Sequence, residues 1–336
     1  MKRLHNVTIA AILISTILLA GCGIFRRSSK KEVDYLPSWN EGPAKRAVVD
    51  FVTEVTDFFS DAFVPPGDRI AVIDSDGTLW PEKPHSIPAV FIYDRILDLA
   101  DRHPEWETTE PFRSILRREL DNLSGTRHPP LLEAAHGGMA QEEFAVLAEK
   151  WVRTREHPRF ASPYRRLAYF PVLELVKYLD RSGFKVFVCT DGDVEFVRAF
   201  SEMVFGIPRD RVIGTLTEMQ FEVSDLGPVL IRMGTVVPPA NEADGKPVNI
   251  QRVTGGRPIF TFGNADGDIP MMEFTGSEFL PSRVFFLVHD DAVREYEYYD
   301  GSEELVDLAR ERGWIRVSMA KDFRTVFAPE KNRKKD

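Results

Sequence analysis

The chain predicts an α/β fold in which a doubly wound parallel sheet carries a helical insertion. Three observations predict it. Short apolar runs over residues 70–73, 184–189, 260–262 and 284–288 are rich in Val, Ile and Phe and too short for helices, so they read as strands buried on both faces. Each delivers polar residues at its carboxyl end: Asp74-Ser75-Asp76-Gly77-Thr78-Leu79, Thr190-Asp191-Gly192-Asp193, Gly263-Asn264-Ala265-Asp266-Gly267-Asp268 and His289. Stretches of helical apolar spacing separate the runs, and open α/β sheets bind ligands outside the carboxyl ends of their strands.

The elements follow in order. Residues 47–59 place Val48, Val52, Val55, Phe58 and Phe59 on one helical stripe, expected to pack on the core. After the Asp74 strand, residues 90–99, 112–120 and 144–152 have helical spacing. Residues 81–164 are therefore assigned to a helical cap, and residues 44–80 with 165–336 to the core. Residues 194–204 read as a helix capped by Asp193. Residues 217–221 and 229–233 read as a strand pair. His128, His136 and His157 lack close ligand spacing, which predicts solvated loop histidines or at most one substrate contact. Cys189 ends an apolar strand and is expected to be a buried thiol without chemistry. His289 is expected to be a satisfied strand-end residue, or one that orients Asp268 or its loop.

The amino terminus has a basic start, Met1-Lys2-Arg3, and an apolar run over residues 7–18 that is short for a bilayer span. It then reaches Leu19-Ala20-Gly21-Cys22 and so resembles a bacterial lipoprotein signal. That resemblance implies removal of residues 1–21 and lipidation of Cys22. Residues 22–43 become a tether whose Arg26-Arg27-Ser28-Ser29-Lys30-Lys31 stretch can touch anionic head groups. The expected location is the bacterial cell envelope, on its periplasmic or outer-membrane face, with the membrane as partner. With Cys22 lipidated, Cys189 has no intrachain disulfide partner. The net charge is −9, and loss of Lys2 and Arg3 lowers it to −11, so no nucleic acid partner is expected.

The ordered series Asp74-x-Asp76-Gly77-Thr78, strand-end Thr190, Lys246 before Pro247, and Gly263-Asn264-Ala265-x-x-Asp268 resembles the haloacid dehalogenase-like superfamily. The similarity runs over about residues 70–327, and residues 263–272 resemble its phosphoserine-phosphatase-like branch most. The resemblance implies a Rossmann-like core under a cap, and Mg2+-dependent hydrolysis of a small phosphorylated substrate. By that resemblance Asp74 is the nucleophile that forms an aspartyl-phosphate, Asp76 the general acid and base, and Thr190 and Lys246 the holders of the phosphoryl oxygens. The Asp74 carboxylate, the Asp76 backbone carbonyl and the Asn264 side chain would hold Mg2+, with Asp268 acting through water. The chemistry explains the residue types. A phosphate monoester is anionic, so a carboxylate nucleophile needs a cation beside it, and Mg2+ takes few carboxylates and keeps several waters.

Two positions depart from the family pattern. Asn264 stands where many relatives carry Asp, and its neutral amide predicts weaker Mg2+ binding. Asp191 stands where near relatives carry glycine, and with Glu82 it is a candidate for contact with a cationic substrate group such as an amine. Asp76 argues against halide chemistry. The alternatives are a phosphotransferase or mutase of the same superfamily, or a catalytically silent ligand-binding envelope lipoprotein.

Overall fold

The first predicted strand, β1 (Ile70–Asp74), is buried along its whole length. The computed structural model describes residues 34–120, 129–225, 227–275 and 280–329, so the leader, Cys22 and His128 lie outside the described residues. On one side β1 pairs in parallel with β2 (Lys185–Asp193), Asp74 opposite Cys189. Beyond β2 comes β3 (Val212–Ser224), parallel to β2 and antiparallel to β4 (Gly227–Val237). On the other side β1 pairs in parallel with β5 (Phe260–Gly263), which pairs with β6 (Arg283–Asp290). The end of β6 takes the two-residue β7 (Glu297–Tyr298), and its middle pairs in parallel with β8 (Ile315–Ser318). The chain thus winds outward from β1 twice, in opposite directions. Its direction reverses between β1 and β5, which sets Asp74 beside the Gly263-Asn264 loop at the crevice such sheets use for ligands.

Alternate residues of β1 serve the two faces, as the two-residue period of a strand requires. Ala71 and Ile73 join Val48, Phe51, Val172, Leu175 and Phe260 beneath α1 (Pro43–Thr56) and α6 (Phe170–Arg181). Ile70 and Val72 join Phe187, Cys189, Ile250 and Met271 beneath α9 (Gly245–Thr254) and α10 (Ile269–Thr275). Next to them Met272, Val284, Phe286 and Leu305 pack under α11 (Glu303–Arg312). The short helix α12 (Met319–Asp322) closes the described chain.

The helical stripe ends earlier than predicted. Asp57 is extended and its Oδ1 accepts the Phe59 N–H at 3.0 Å, an Asx turn that stops α1. Phe58 and Phe59 therefore leave the helix and stand 74% and 92% exposed instead of packing on the core. The core also starts before residue 44, because Leu36 and Trp39 are buried and the Trp39 Nε1–H donates to the Pro171 carbonyl at 2.9 Å.

Helices follow β1 as predicted: α2 (Ile87–Leu99), α3 (Phe112–Leu116), α4 (Pro129–His136) and α5 (Gln141–Thr154). α3 is shorter than the apolar pattern suggests, since the chain turns left-handed at Arg118, φ 59°. Ile92, Ile96, Trp106, Phe112, Ile115 and Leu131 form a separate small core among α2, α3 and α4. α5 is different: Phe144, Ala148 and Val152 pack into the main core, so this helix is a wall of the body. The predicted helix over 194–204 is two, α7 (Val194–Arg198) and α8 (Ser201–Phe205), broken where Phe200 leaves helical geometry and packs against Trp80, ring centroids 5.2 Å apart and planes tilted by 40°. Asp193 caps α7 as expected, accepting the Glu195 N–H at 2.8 Å. The β3–β4 hairpin is longer than predicted on both strands, and β4 reaches α4, with the Arg232 backbone exchanging hydrogen bonds with Gly138 and Met139.

Candidate active site

Asp74 ends β1, and the loop after it folds back at once. The Ser75 N–H bonds the Cys189 carbonyl at 2.9 Å, the Leu79 N–H bonds the Ser75 carbonyl at 2.8 Å, and the Gly77 N–H bonds the Trp80 carbonyl at 2.8 Å. Gly77 has φ +82°, and a Cβ there would lie 2.3 Å from Asn264 Nδ2 and 2.7 Å from Glu82 Oε1. Only glycine fits the turn. Asp76 Oδ1 accepts the Ile87 N–H at 3.1 Å, which ties this carboxyl to the start of α2. Burial pushes the Asp76 carboxyl up to about 8, with the Glu82 charge adding to the rise. A carboxyl raised toward the working pH suits a residue that must both give and take a proton.

Lys246 enters from the first turn of α9 and is 2% exposed. Its Nζ lies 2.9 Å from Asp74 Oδ1, 2.6 Å from Asp268 Oδ1 and 2.7 Å from Asp191 Oδ1. Burial alone would lower the Lys246 pKa, but the three carboxylates outweigh it and hold the ammonium well above its usual value. Asp74 is pushed well above the ordinary carboxylate range, first by burial and then by the Asp268 charge, against the pull of Lys246. Asp268 is fixed from its other oxygen, which accepts the N–H groups of Asn264 at 2.9 Å and Ala265 at 3.1 Å. A Cβ on Gly263 would lie 2.6 Å from that oxygen, so the approach requires glycine.

Thr190 is fully buried at the end of β2, and its Oγ1 accepts the Gly192 N–H at 3.2 Å. A residue that sequence reasoning missed, Asn241, braces this strand end. Its Nδ2 donates to the Thr190 carbonyl at 2.8 Å and to Cys189 Sγ at 3.2 Å, and its N–H bonds Thr215 Oγ1 at 2.9 Å. The Thr215 hydroxyl in turn donates to the Asp191 carbonyl at 2.7 Å. No periodicity marks Asn241, which sits in a polar loop before Lys246. Cys189 is as expected: burial pushes its thiol up to about 12, so it stays protonated and inert.

Asn264 and Glu82 meet. Asn264 Nδ2 donates to Glu82 Oε1 at 2.9 Å, and the Tyr298 hydroxyl donates to the same oxygen at 2.6 Å. Asn264 Oδ1 accepts the Thr78 hydroxyl at 2.8 Å. Burial raises the Glu82 carboxyl, while the His289 charge and the Tyr298 hydrogen bond pull it back. His289 is the satisfied strand-end residue of the two alternatives, and it does not touch Asp268. Its Nε2 lies 2.7 Å from the Gly77 carbonyl and its Nδ1 3.3 Å from the buried Glu295, and its ring stacks on Tyr298. It thus holds the Asp74 loop, since β6 lies beyond β5 with its end facing that turn.

His136 and His157 are not the solvated residues predicted, because each is packed inside the body, 3% and 1% exposed. His157 is fixed by the Lys83 carbonyl at 2.8 Å and the Arg159 N–H at 3.1 Å. His136 lies 3.5 Å from the fully buried Arg232, which pairs with Asp193 and sits over the Phe144 ring at 3.8 Å. Arg232 therefore bolts the hairpin to the end of β2, a role that nothing in the local sequence signals.

The donor set suits a hard dication. Asp74 and Asp268 are buried carboxylates, Asn264 offers an amide oxygen, and Asp76 a carbonyl on the same loop. Around Lys246 one positive charge faces three carboxylates, so the cluster carries an excess of acid over base. No group of three or more His, Cys, Asp or Glu side chains forms a ready metal cage among the described residues. Mg2+ does not need one, because it is held by one or two carboxylates, substrate oxygens and water.

Residues 71–273 match the haloacid dehalogenase-like hydrolase family, and the chain belongs to it. A functionally unknown protein from Anaerococcus prevotii DSM 20548 is 14% identical, with 84% of this chain and 94% of that one covered at a TM-score of 0.54. A protein of unknown function from Bordetella pertussis Tohama I is 17% identical, with coverages of 74% and 98% and a TM-score of 0.47. A phosphoserine phosphohydrolase-like protein from Francisella tularensis subsp. tularensis SCHU S4 is 16% identical, with coverages of 74% and 94% and a TM-score of 0.37. The first of these likenesses speaks to the fold alone. No curated protein matches the chain.

Proposed function

We propose that the protein is a Mg2+-dependent phosphomonoesterase acting on a small phosphorylated metabolite through an aspartyl-phosphate on Asp74. The observation that carries this reading is the buried contact of Asp74 with Lys246, itself bonded to Asp268, beside an Asp76 carboxyl fixed on the Ile87 N–H at 3.1 Å. Asp74 attacks phosphorus while the bond to the leaving oxygen breaks, and Asp76 gives that oxygen its proton. Asp76, now a carboxylate, takes a proton from the water that attacks the aspartyl-phosphate, and Asp74 returns as a free carboxylate with release of inorganic phosphate. Lys246 and the Thr190 hydroxyl hold the phosphoryl oxygens as charge moves across them. Asp74, the Asp76 carbonyl and Asn264 would hold Mg2+, with Asp268 acting through water, and the bound ion would supply the positive charge that lets two anions meet. A halide leaving group would need no proton, so the presence of a carboxyl at Asp76 favours an ester.

The envelope location belongs to the same proposal. The Leu19-Ala20-Gly21-Cys22 sequence supports lipidation at Cys22, and several acyl chains give stable anchoring where one does not. Phosphate release from a panel of monoesters, with Mg2+ or with chelator, tests the activity. Turnover that needs Mg2+ is expected, and none on any ester from folded protein overturns the proposal.

A further inference from the structure

Asn264 is neutral where a metal site of this kind gains from charge, yet it is not isolated from charge. Its Nδ2 donates at 2.9 Å to Glu82 Oε1, which also takes the Tyr298 hydroxyl at 2.6 Å. Tyr298 is itself held flat against His289, ring centroids 4.3 Å apart, and His289 is fixed on the Gly77 carbonyl at 2.7 Å. On its other side Asn264 Oδ1 accepts the Thr78 hydroxyl at 2.8 Å. Asn264 is 3% exposed.

We propose that Glu82 is the positioning residue of the metal site and that Glu82 and Asn264 act as one ligand unit, with the negative charge one residue removed from the oxygen that binds. The inference rests on the phosphatase reading. Glu82 Oε1 takes both the Tyr298 hydroxyl and the amide, and the Thr78 hydroxyl holds Oδ1, so Asn264 turns Nδ2 to Glu82 and Oδ1 away from it. The flipped amide would set its oxygen against the carboxylate. In the observed orientation Thr78 uses one lone pair of Oδ1 and leaves the other for a cation. The carboxylate also polarises the amide toward its oxygen, and partners behind a ligand commonly change metal affinity 10–100-fold.

The pairing reverses the expectation for Asn264→Asp. On its own that change places two carboxylates in the contact now made by an amide and a carboxylate, so it would not tighten Mg2+ binding. Moving the charge instead, with Glu82→Gln and Asn264→Asp together, keeps the total charge and restores a donor–acceptor contact.

The experiment is calorimetric titration of the full chain with Mg2+ alone, no substrate present, with thermal unfolding as the control for folding. Glu82→Gln is expected to weaken Mg2+ about 10–100-fold. Asn264→Asp alone is expected to give no gain, and the double variant to return to within about threefold of the unchanged chain, a coupling only interacting residues show. Tyr298→Phe keeps the Glu82 charge and the ring on His289, and a loss of about threefold is expected from one missing hydrogen bond; it stands in if Glu82→Gln does not fold. Tighter binding by Asn264→Asp alone, a double variant whose loss is the product of the single losses, or Mg2+ binding unmoved by Tyr298→Phe overturns the pairing while the phosphatase reading survives. An unchanged chain that binds no Mg2+ overturns both.

Discussion

Asp76 accepts the backbone N–H of Ile87, 3.1 Å away, so the carboxyl assigned to proton transfer is bonded to the first residue of the first cap helix. The insertion that follows β1 is thereby fastened to the catalytic loop. Asp76→Asn keeps an acceptor for Ile87 but cannot exchange protons. We expect kcat to fall about 10²–10⁴-fold with KM little changed. Steady-state kinetics on the best ester checks it, and a loss below tenfold would refute the role.

Asp191 is the one carboxylate around Lys246 that meets solvent, its side chain 45% exposed against 7% for Asp74 and 2% for Asp268. An incoming phosphate competes with it for the ammonium. Asp191→Asn is predicted to lower KM severalfold for every ester, since the repulsion is electrostatic and not specific to the leaving group. Selective loss with amine-bearing esters would instead show that Asp191 contacts a cationic substrate group.

Arg232 is fully buried and pairs with Asp193, which is 6% exposed as a side chain. Arg232→Met leaves the Asp193 carboxylate buried without its partner, a loss of about 3–5 kcal/mol in unfolding free energy. Chemical denaturation measures it. Destabilisation under 1 kcal/mol would show that the hairpin is held by other contacts.

His136 gives the stability a pH dependence. Burial, with Arg232 adding to it, lowers its pKa from 6.5 to about 4 despite the nearby Asp193. The unfolded chain then binds the proton first, so stability is complete above pH 6.5 and declines as pH falls toward about 4. The loss at pH 5 is about 2 kcal/mol. Denaturation of the unchanged chain and of His136→Gln at pH 7 and pH 5 compares them, and equal losses in both would contradict the assignment.

Much of the site is local in sequence and was legible there. Asp74, Asp76 and Gly77 share one turn, and Asn264 and Asp268 share another, so motif spacing placed them where the structure has them. Lys246 is one residue at one helix start, and order along the chain marked it. The residues that brace them are not local. Tyr298 reaches Glu82 across 216 positions, Asn241 reaches Thr190 across 51, and Arg232 reaches Asp193 across 39. Such pairs leave no periodic trace, and a buried Arg or His looks in sequence like a solvated one. The early end of α1 has a local cause, the Asp57 turn, which apolar spacing through to Phe59 conceals.

The most direct test of the central claim is phosphate release by Asp74→Asn beside the unchanged chain, with Mg2+ and the ester turned over best. Asn is nearly isosteric and keeps an oxygen for Lys246, but it is no nucleophile. Loss of at least about 10³-fold is predicted for removal of a covalent nucleophile. A variant that keeps activity within tenfold would contradict covalent catalysis at Asp74.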